Sequence, residues 1–235
     1  RGLIVSSFKC GPDYIDPMFH QTVIGVPGRN LDPFFTDPDT TCYLFEKHSK
    51  DSQIAVMEGV MGFYDGIAGT KTRASAYDLA QITNTPVILV VKGASASLAA
   101  LIKGFREYRK DSHIEGVILN RLSPMMYSGM RELIERETGV AVLGYVPALR
   151  DLGLESRHLG LVLPGEVRDL KEKLDEFSDT LEKTIDIERM LNTAGCAGEI
   201  VYDSNKPSTV ALIHESKGQN TSKSRERLRI GLAED

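Results

Sequence analysis

Ile54-Ala55-Val56-Met57-Glu58-Gly59-Val60-Met61-Gly62-Phe63-Tyr64-Asp65-Gly66 decides how the rest of the chain is read. Residues 54–57 are apolar with no polar alternation, which predicts a strand buried on both faces. The strand runs directly into a carboxylate, Glu58, and then into glycines 59, 62 and 66. In open α/β sheets ligands sit beyond the carboxyl ends of the strands, so Glu58 stands where chemistry is normally done. The glycines are read as letting the backbone turn sharply and approach a ligand. The competing reading is an acidic residue that merely opens a solvated loop. By itself the stretch points to a phosphate or metal site and no further.

Upstream, Leu3-Ile4-Val5 predicts an earlier strand leading into Phe8-Lys9-Cys10-Gly11-Pro12-Asp13-Tyr14-Ile15-Asp16-Pro17. Gly11-Pro12 stops the strand, and the two prolines predict an irregular loop. Asn30-Leu31-Asp32-Pro33-Phe34-Phe35 reads as a second loop of the same kind, with Asp32 held extended before its proline. Each aspartate alone is a common turn residue. Asp13, Asp16 and Asp32 together with Lys9 and Glu58 make a candidate site.

Downstream, the pattern predicts a helix over 40–50 before the central strand and another over 74–83. A continuously apolar strand follows at 86–91, ending at Lys92-Gly93, and then a helix over 97–108. A strand over 114–119 ends in Asn120-Arg121, a helix over 128–138 is stopped by Gly139, and a strand over 140–146 ends at Pro147. Strands alternating with helices through short connections imply a parallel sheet covered by helices. Asn120 is either a capping asparagine or a hydrogen-bonding partner for a ligand such as a base. Beyond Gly165, Leu170, Leu174, Phe177 and Leu181 recur at helical spacing. Residues 195–226 lose periodicity and read as a linker, and Leu228 onward reads as a further strand.

The chain has 235 residues, 41% hydrophobic and 26% charged, with a net charge of −5. Such a balance gives no support for a nucleic-acid partner, whose domains carry a basic stripe. Cys10, Cys42 and Cys196 are widely spaced, which suggests neither a zinc site nor a disulfide framework and fits a cytoplasmic setting. No run approaches the length of a membrane span. Gly69-Thr70-Lys71-Thr72 does not meet the phosphate-loop pattern, and neither that pattern nor the dinucleotide fingerprint occurs in the sequence. The histidines form no paired-ligand spacing.

With these loops assembled, the chain resembles the synthetase domain of the cobyrinic acid a,c-diamide synthases. The resemblance rests on residues 8–17, on Arg29-Asn30-Leu31-Asp32-Pro33-Phe34-Phe35 and on Glu58 to Gly66. Gly116 to Arg121, Gly144-Tyr145-Val146-Pro147 and Arg157-His158-Leu159-Gly160 add to it. The Glu-Gly-Val-Met-Gly run is shared more loosely with dethiobiotin synthetases and CTP synthases. The resemblance implies an α/β fold of the phosphate-loop type, like dethiobiotin synthetase, whose phosphate-loop strand and helix would precede residue 1. It divides the chain into an amidoligase domain over 1–194, a linker over 195–227 and, at 228–235, the first strand of a glutaminase domain.

The implied reaction phosphorylates the a and c acetates of cobyrinic acid with ATP, and ammonia from glutamine then displaces phosphate, in cobalamin biosynthesis. Lys9 and Glu58 are the implied catalytic residues. Asp13, Tyr14 and Asp16 would bind the corrin-type substrate, and Gly59, Asn120, Arg121 and Pro147 the nucleotide. Asp32 and Glu58 would hold Mg2+. The partners implied are the tetrapyrrole, ATP and glutamine, with a homodimer possible and neither nucleic acid nor membrane. The rival within the class is amidation of nickel-sirohydrochlorin. A rival of another class is a partitioning-type nucleotide switch. A parallel sheet without its phosphate-loop strand predicts a gap beside residues 3–7, open or filled by another chain, and weak ATP binding.

Overall fold

The computed structural model describes residues 2–148, 156–157, 160–161, 170–203 and 228–234. His158, Leu159 and most of the proposed linker, 204–227, lie outside the described residues. Seven strands form one parallel sheet: β1 (Val5–Cys10), β2 (Gly28–Leu31), β3 (Ile54–Glu58), β4 (Val87–Lys92), β5 (Ile114–Asn120), β6 (Ala141–Val146) and the last strand, Leu228–Glu234. Between β6 and that last strand lie β7 (Ser156–Arg157) and β8 (Gly160–Leu161), a separate antiparallel pair, so the last strand is β9. The order across the large sheet is β2-β1-β3-β9-β4-β5-β6. The mostly parallel sheet expected from the apolar strands is present.

Both faces are covered. Val87, Leu89 and Val91 of β4 turn to one side, where they meet Leu98 and Ile102 of α4 (Ala96–Tyr108) and Ile134 of α5 (Pro124–Thr138). Ile88 turns to the other, with Ile118, Leu143, Ile185 and Ala194. Here α6 (Leu170–Thr184) contributes Leu181 and α7 (Ile187–Gly195) contributes Met190 and Leu191. Two-sided burial is why these strands carry no polar alternation. Helix starts follow local chemistry: Asp37 accepts from the Thr40 N–H at 2.8 Å to open α2 (Pro38–Ser49), and Ser75 caps α3 (Ala76–Ile82).

Three expectations need correction. The prolines after β1 do not prevent a helix, because α1 (Ile15–Phe19) carries Pro17 in its first turn, where no N–H is required. A five-residue π-helical segment, His20–Ile24, continues it. The loop at 30–35 begins as a strand, β2, a short edge element with exposed Arg29 and Asn30. The gap predicted beside residues 3–7 is not there. Strand β1 is flanked by β2 and β3, and the chain's own β9 lies between β3 and β4. Residues 196–203 are also tied to this unit, with Gly198 N–H donating to the Asn84 carbonyl at 3.1 Å and Tyr202 hydroxyl to Glu46 at 3.0 Å.

Candidate functional site

In the parallel register Lys9, last but one in β1, is directly opposite Glu58, the last residue of β3. The Lys9 ammonium lies 2.9 Å from Glu58 Oε1 and 2.7 Å from Asp16 Oδ2. Lys9 is 5% exposed and Asp16 9%, whereas the Glu58 side chain is 31% exposed. Asp16 comes from the first turn of α1, which the chain enters just after β1, so a helix start delivers the second carboxylate. On its other side Glu58 Oε2 faces His20 Nε2 at 3.5 Å, and His20 Nδ1 is 2.8 Å from Ser7 Oγ.

Burial opposes the Lys9 charge, but hydrogen bonds to Asp16 and Glu58 and their negative charges outweigh it and hold the ammonium above its ordinary value. Burial also dominates at Glu58 and, with the nearby Asp16 charge, raises its carboxyl above the usual range despite the lysine. One cation shared by two carboxylates compensates Glu58 only in part. Cys10, the next residue along β1, is pushed by burial and by the Asp32 charge up to about 12, an inert thiol.

The loops beside this cluster hold the other expected residues. Asp13 turns its Oδ1 onto the Ile15 N–H at 2.9 Å, an Asx turn that starts α1. Tyr14 is 74% exposed. Asn30 of β2 ties this loop down by donating to the Gly11 carbonyl at 2.7 Å and to the Asp13 carbonyl. Gly11 is left-handed, with φ 83, as the abrupt exit from β1 demands. After β3 the left-handed residue is Met61, with φ 60, and not one of the three glycines. Gly62 instead leaves room for the Asp65 carboxylate, and Gly66 for the carbonyls of Lys71 and Arg73. Gly62 and Gly66 thus admit the protein's own loop.

Asp32 and Glu58 are not neighbours. Their strands stand on opposite sides of β1, so about 10 Å of sheet separates the strand axes. Asp32 Oδ1 accepts from the Phe34 N–H at 2.9 Å. Among the described residues no three His, Cys, Asp or Glu side chains are grouped to hold a metal ion. Mg2+ at phosphate-transfer sites needs only one or two carboxylates, the substrate phosphates and water supplying the rest. Glu58, whose Oε2 is not held by Lys9 and whose side chain is 31% exposed, fits that requirement; Asp32 stands apart on the adjoining loop.

Asn120, Arg121 and Pro147 form a second group on the same sheet edge. Asn120 pairs with Val146 in register, the Leu122 N–H donates to the Val146 carbonyl at 3.0 Å, and Arg121 is exposed with φ 56. Three strand positions separate β5 from β3, about 14 Å at ordinary strand spacing. Gly59 stays with the first group: it is buried and lines a small apolar cavity with Cys10, Met57, Phe63 and Leu79. Sequence reasoning missed His20 and Ser7. Asp16 and His20 are four residues apart, a spacing that shares a helix face, but the flanking prolines hid the helix.

The family described as an AAA domain matches residues 34–156. Curated relatives include the cobyrinate a,c-diamide synthase of Listeria monocytogenes serovar 1/2a, 44% identical over 195 residues, covering 81% of this chain and 43% of the relative. The cobyrinate a,c-diamide synthase of Caldanaerobacter subterraneus subsp. tengcongensis is 41% identical, covering 80% and 42%. That of Limosilactobacillus reuteri (strain DSM 20016) is 34% identical over 236 residues, covering 98% and 48%. The chain thus spans a little under half the length of these relatives. No solved structure matches. Among the described residues no helix is long and apolar enough to cross a membrane.

Proposed function

The chain belongs to the AAA-domain family and is a homologue of the cobyrinate a,c-diamide synthases, and from this we propose that it supplies the ATP-dependent amidoligase part of such a synthase. The observation that carries this reading is the Asp16–Lys9–Glu58 cluster at the carboxyl edge of a parallel sheet. Its substrate is a corrin-type macrocycle, cobyrinic acid, whose a and c acetates become amides.

An acetate oxygen attacks the γ-phosphorus of ATP and ADP departs, leaving an acyl phosphate. Ammonia, released from glutamine elsewhere in the whole protein, then attacks the acyl carbon. Phosphate leaves, the nitrogen gives up a proton, and the amide remains. Lys9 keeps a fixed positive charge beside the reacting carboxylate and phosphoryl oxygens, held by Asp16 so that it need not reorganise. Mg2+, when bound at Glu58, would neutralise phosphoryl charge during transfer. Asp32, on the adjoining loop, would add negative charge at longer range. Tyr14 and Asp13 line the approach of the macrocycle and orient its side chain. Asn120, Arg121 and Pro147 hold the base end of ATP, a placement consistent with their distance from Glu58, and Gly59 lies next to the phosphates.

The test is incubation of the full-length protein with cobyrinic acid, ATP, Mg2+ and glutamine, followed by mass spectrometry of the macrocycle. Replacement of hydroxyl by amine at two acetates, dependent on ATP, is the expected result. Amidation of nickel-sirohydrochlorin but not cobyrinic acid would transfer the assignment to that macrocycle. ATP turnover with neither macrocycle altered would reject it.

A further inference from the structure

Glu58 ends a strand, and the Lys9 contact fixes only its Oε1. A carboxylate held at one oxygen still rotates about that contact, and a reactive group must be held far more narrowly than that. The other oxygen, Oε2, faces His20 Nε2 at 3.5 Å. His20 opens the π-helical segment, and its side chain is 16% exposed. Its second ring nitrogen, Nδ1, is 2.8 Å from the hydroxyl of Ser7, which is itself buried within β1. The chain Ser7–His20–Glu58 therefore joins a strand, a helix and the neighbouring strand.

We infer that His20 is a positioning residue that fixes the orientation of Glu58 from the side opposite Lys9, with the Ser7 hydroxyl holding the other nitrogen of the ring. The inference rests on the proposed amidoligase reaction for its consequence in turnover. The tautomer follows from donor and acceptor counting. A neutral ring that attracts a carboxylate must carry its proton on Nε2, which leaves Nδ1 as an acceptor. The Ser7 hydroxyl then donates to Nδ1. The opposite tautomer would aim a lone pair at Glu58. At 3.5 Å the Nε2 contact is electrostatic rather than a full hydrogen bond, and contacts of this kind commonly shorten when substrate binds. Ser7 is no nucleophile: it lies inside a strand, and its N–H is bonded to the Pro27 carbonyl at 3.3 Å. Two-point fixation of a carboxylate through an imidazole oriented by a second side chain is the usual way an outer layer sets a reactive group.

Two variants of the full-length protein separate positioning from packing. Gln at position 20 carries its amide nitrogen near the place of Nε2, whereas Asn reaches only the place of Nδ1. Loss of the contact in His20→Asn should lower kcat by about 10–100-fold with the KM for ATP little changed. His20→Gln should restore most of that loss, although both variants lose the ring. In 15N spectra of the wild type the neutral His20 ring should be protonated at Nε2. Equal losses for Asn and Gln, in step with lost thermal stability, would reduce His20 to packing and overturn the inference. A ring protonated at Nδ1 alone in the wild type would overturn it whatever the activity. If the wild type amidates no macrocycle, the functional reading fails, while the spectra still decide the tautomer.

Discussion

Replacing Lys9 by Met removes a charge from between two carboxylates and shortens the unbranched side chain by one atom, the ammonium itself. Lys9 and Asp16 are both almost wholly enclosed, with side-chain exposures of 6% and 12% at a separation of 2.7 Å. Leaving one member of such a pair buried alone typically costs about 3–5 kcal/mol. Glu58 is better hydrated, at 31% side-chain exposure, so its lost contact adds only about 1 kcal/mol or less. The methionine methyl regains on the order of 1 kcal/mol by staying in an apolar setting. The net expectation is a loss of about 2–5 kcal/mol in urea unfolding, or roughly 2–4 °C in Tm for each kcal/mol in a chain of this size.

The decisive measurement is the sign of a second substitution. In the wild type, Asp16→Asn removes a favourable charge from Lys9 and should destabilise by about 1–2 kcal/mol. In the Lys9→Met background the same change removes the stranded charge and should stabilise. Residues that do not interact give effects that add within about 0.5 kcal/mol. Additive losses in this cycle would mean that Lys9 and Asp16 are not a buried pair, and the argument for a pre-held cation at the site would go with them.

Glu58→Gln should cut turnover by about 100-fold or more in the full-length protein, while leaving the fold at least as stable near neutral pH. Burial raises the Glu58 carboxyl, so its contribution to stability is complete below the ordinary carboxylate range and is lost as pH rises through the raised value. The neutral amide has no such loss, so the stability difference should grow in favour of Glu58→Gln from acid toward neutral pH. A wild type that gains on the variant as pH rises refutes it. Tyr14→Ala should raise KM for the macrocycle and leave KM for ATP unchanged, since its side chain is exposed at the mouth of the site; a matching rise for ATP moves this loop into the nucleotide site. Deleting residues 228–234 uncovers the facing edges of β3 and β4, which register with β9 through five and four residue pairs. Amide exchange at Ile54–Glu58 and Val87–Lys92 should accelerate sharply, and unchanged protection would show that β9 does not hold the sheet together.

The interior strands are legible because burial on both faces leaves an unbroken apolar run, as in Val87 to Val91. The edge strand β2 is not, since Gly28-Arg29-Asn30-Leu31 has an exposed polar centre and only two buried ends. Residues 228–234 read as a strand, but nothing in them says which neighbours they take, because strand order in a parallel sheet is set by packing at long range. The same limit applies within the site. That Lys9 and Glu58 are candidates can be read from the stretches that hold them; that they touch depends on a register between residues 49 apart.

Asp16 and Tyr14 show what such a limit conceals. The resemblance to the synthases groups them as two residues of one substrate-binding loop, but positions two apart at a helix start point about 200° from each other around its axis. Only one of the two can face inward. Asp16 does, at 9% exposure and against Lys9, while Tyr14 is left 74% exposed at the mouth. The loop therefore splits its two side chains: its inner carboxylate holds the Lys9 cation, and its outer ring is left exposed, where the proposed reaction would have it meet the substrate. On the proposed reaction, a substitution at Asp16 should act first through Lys9, on charge and stability, and a change of macrocycle preference without those effects should come from Tyr14 and the residues beside it.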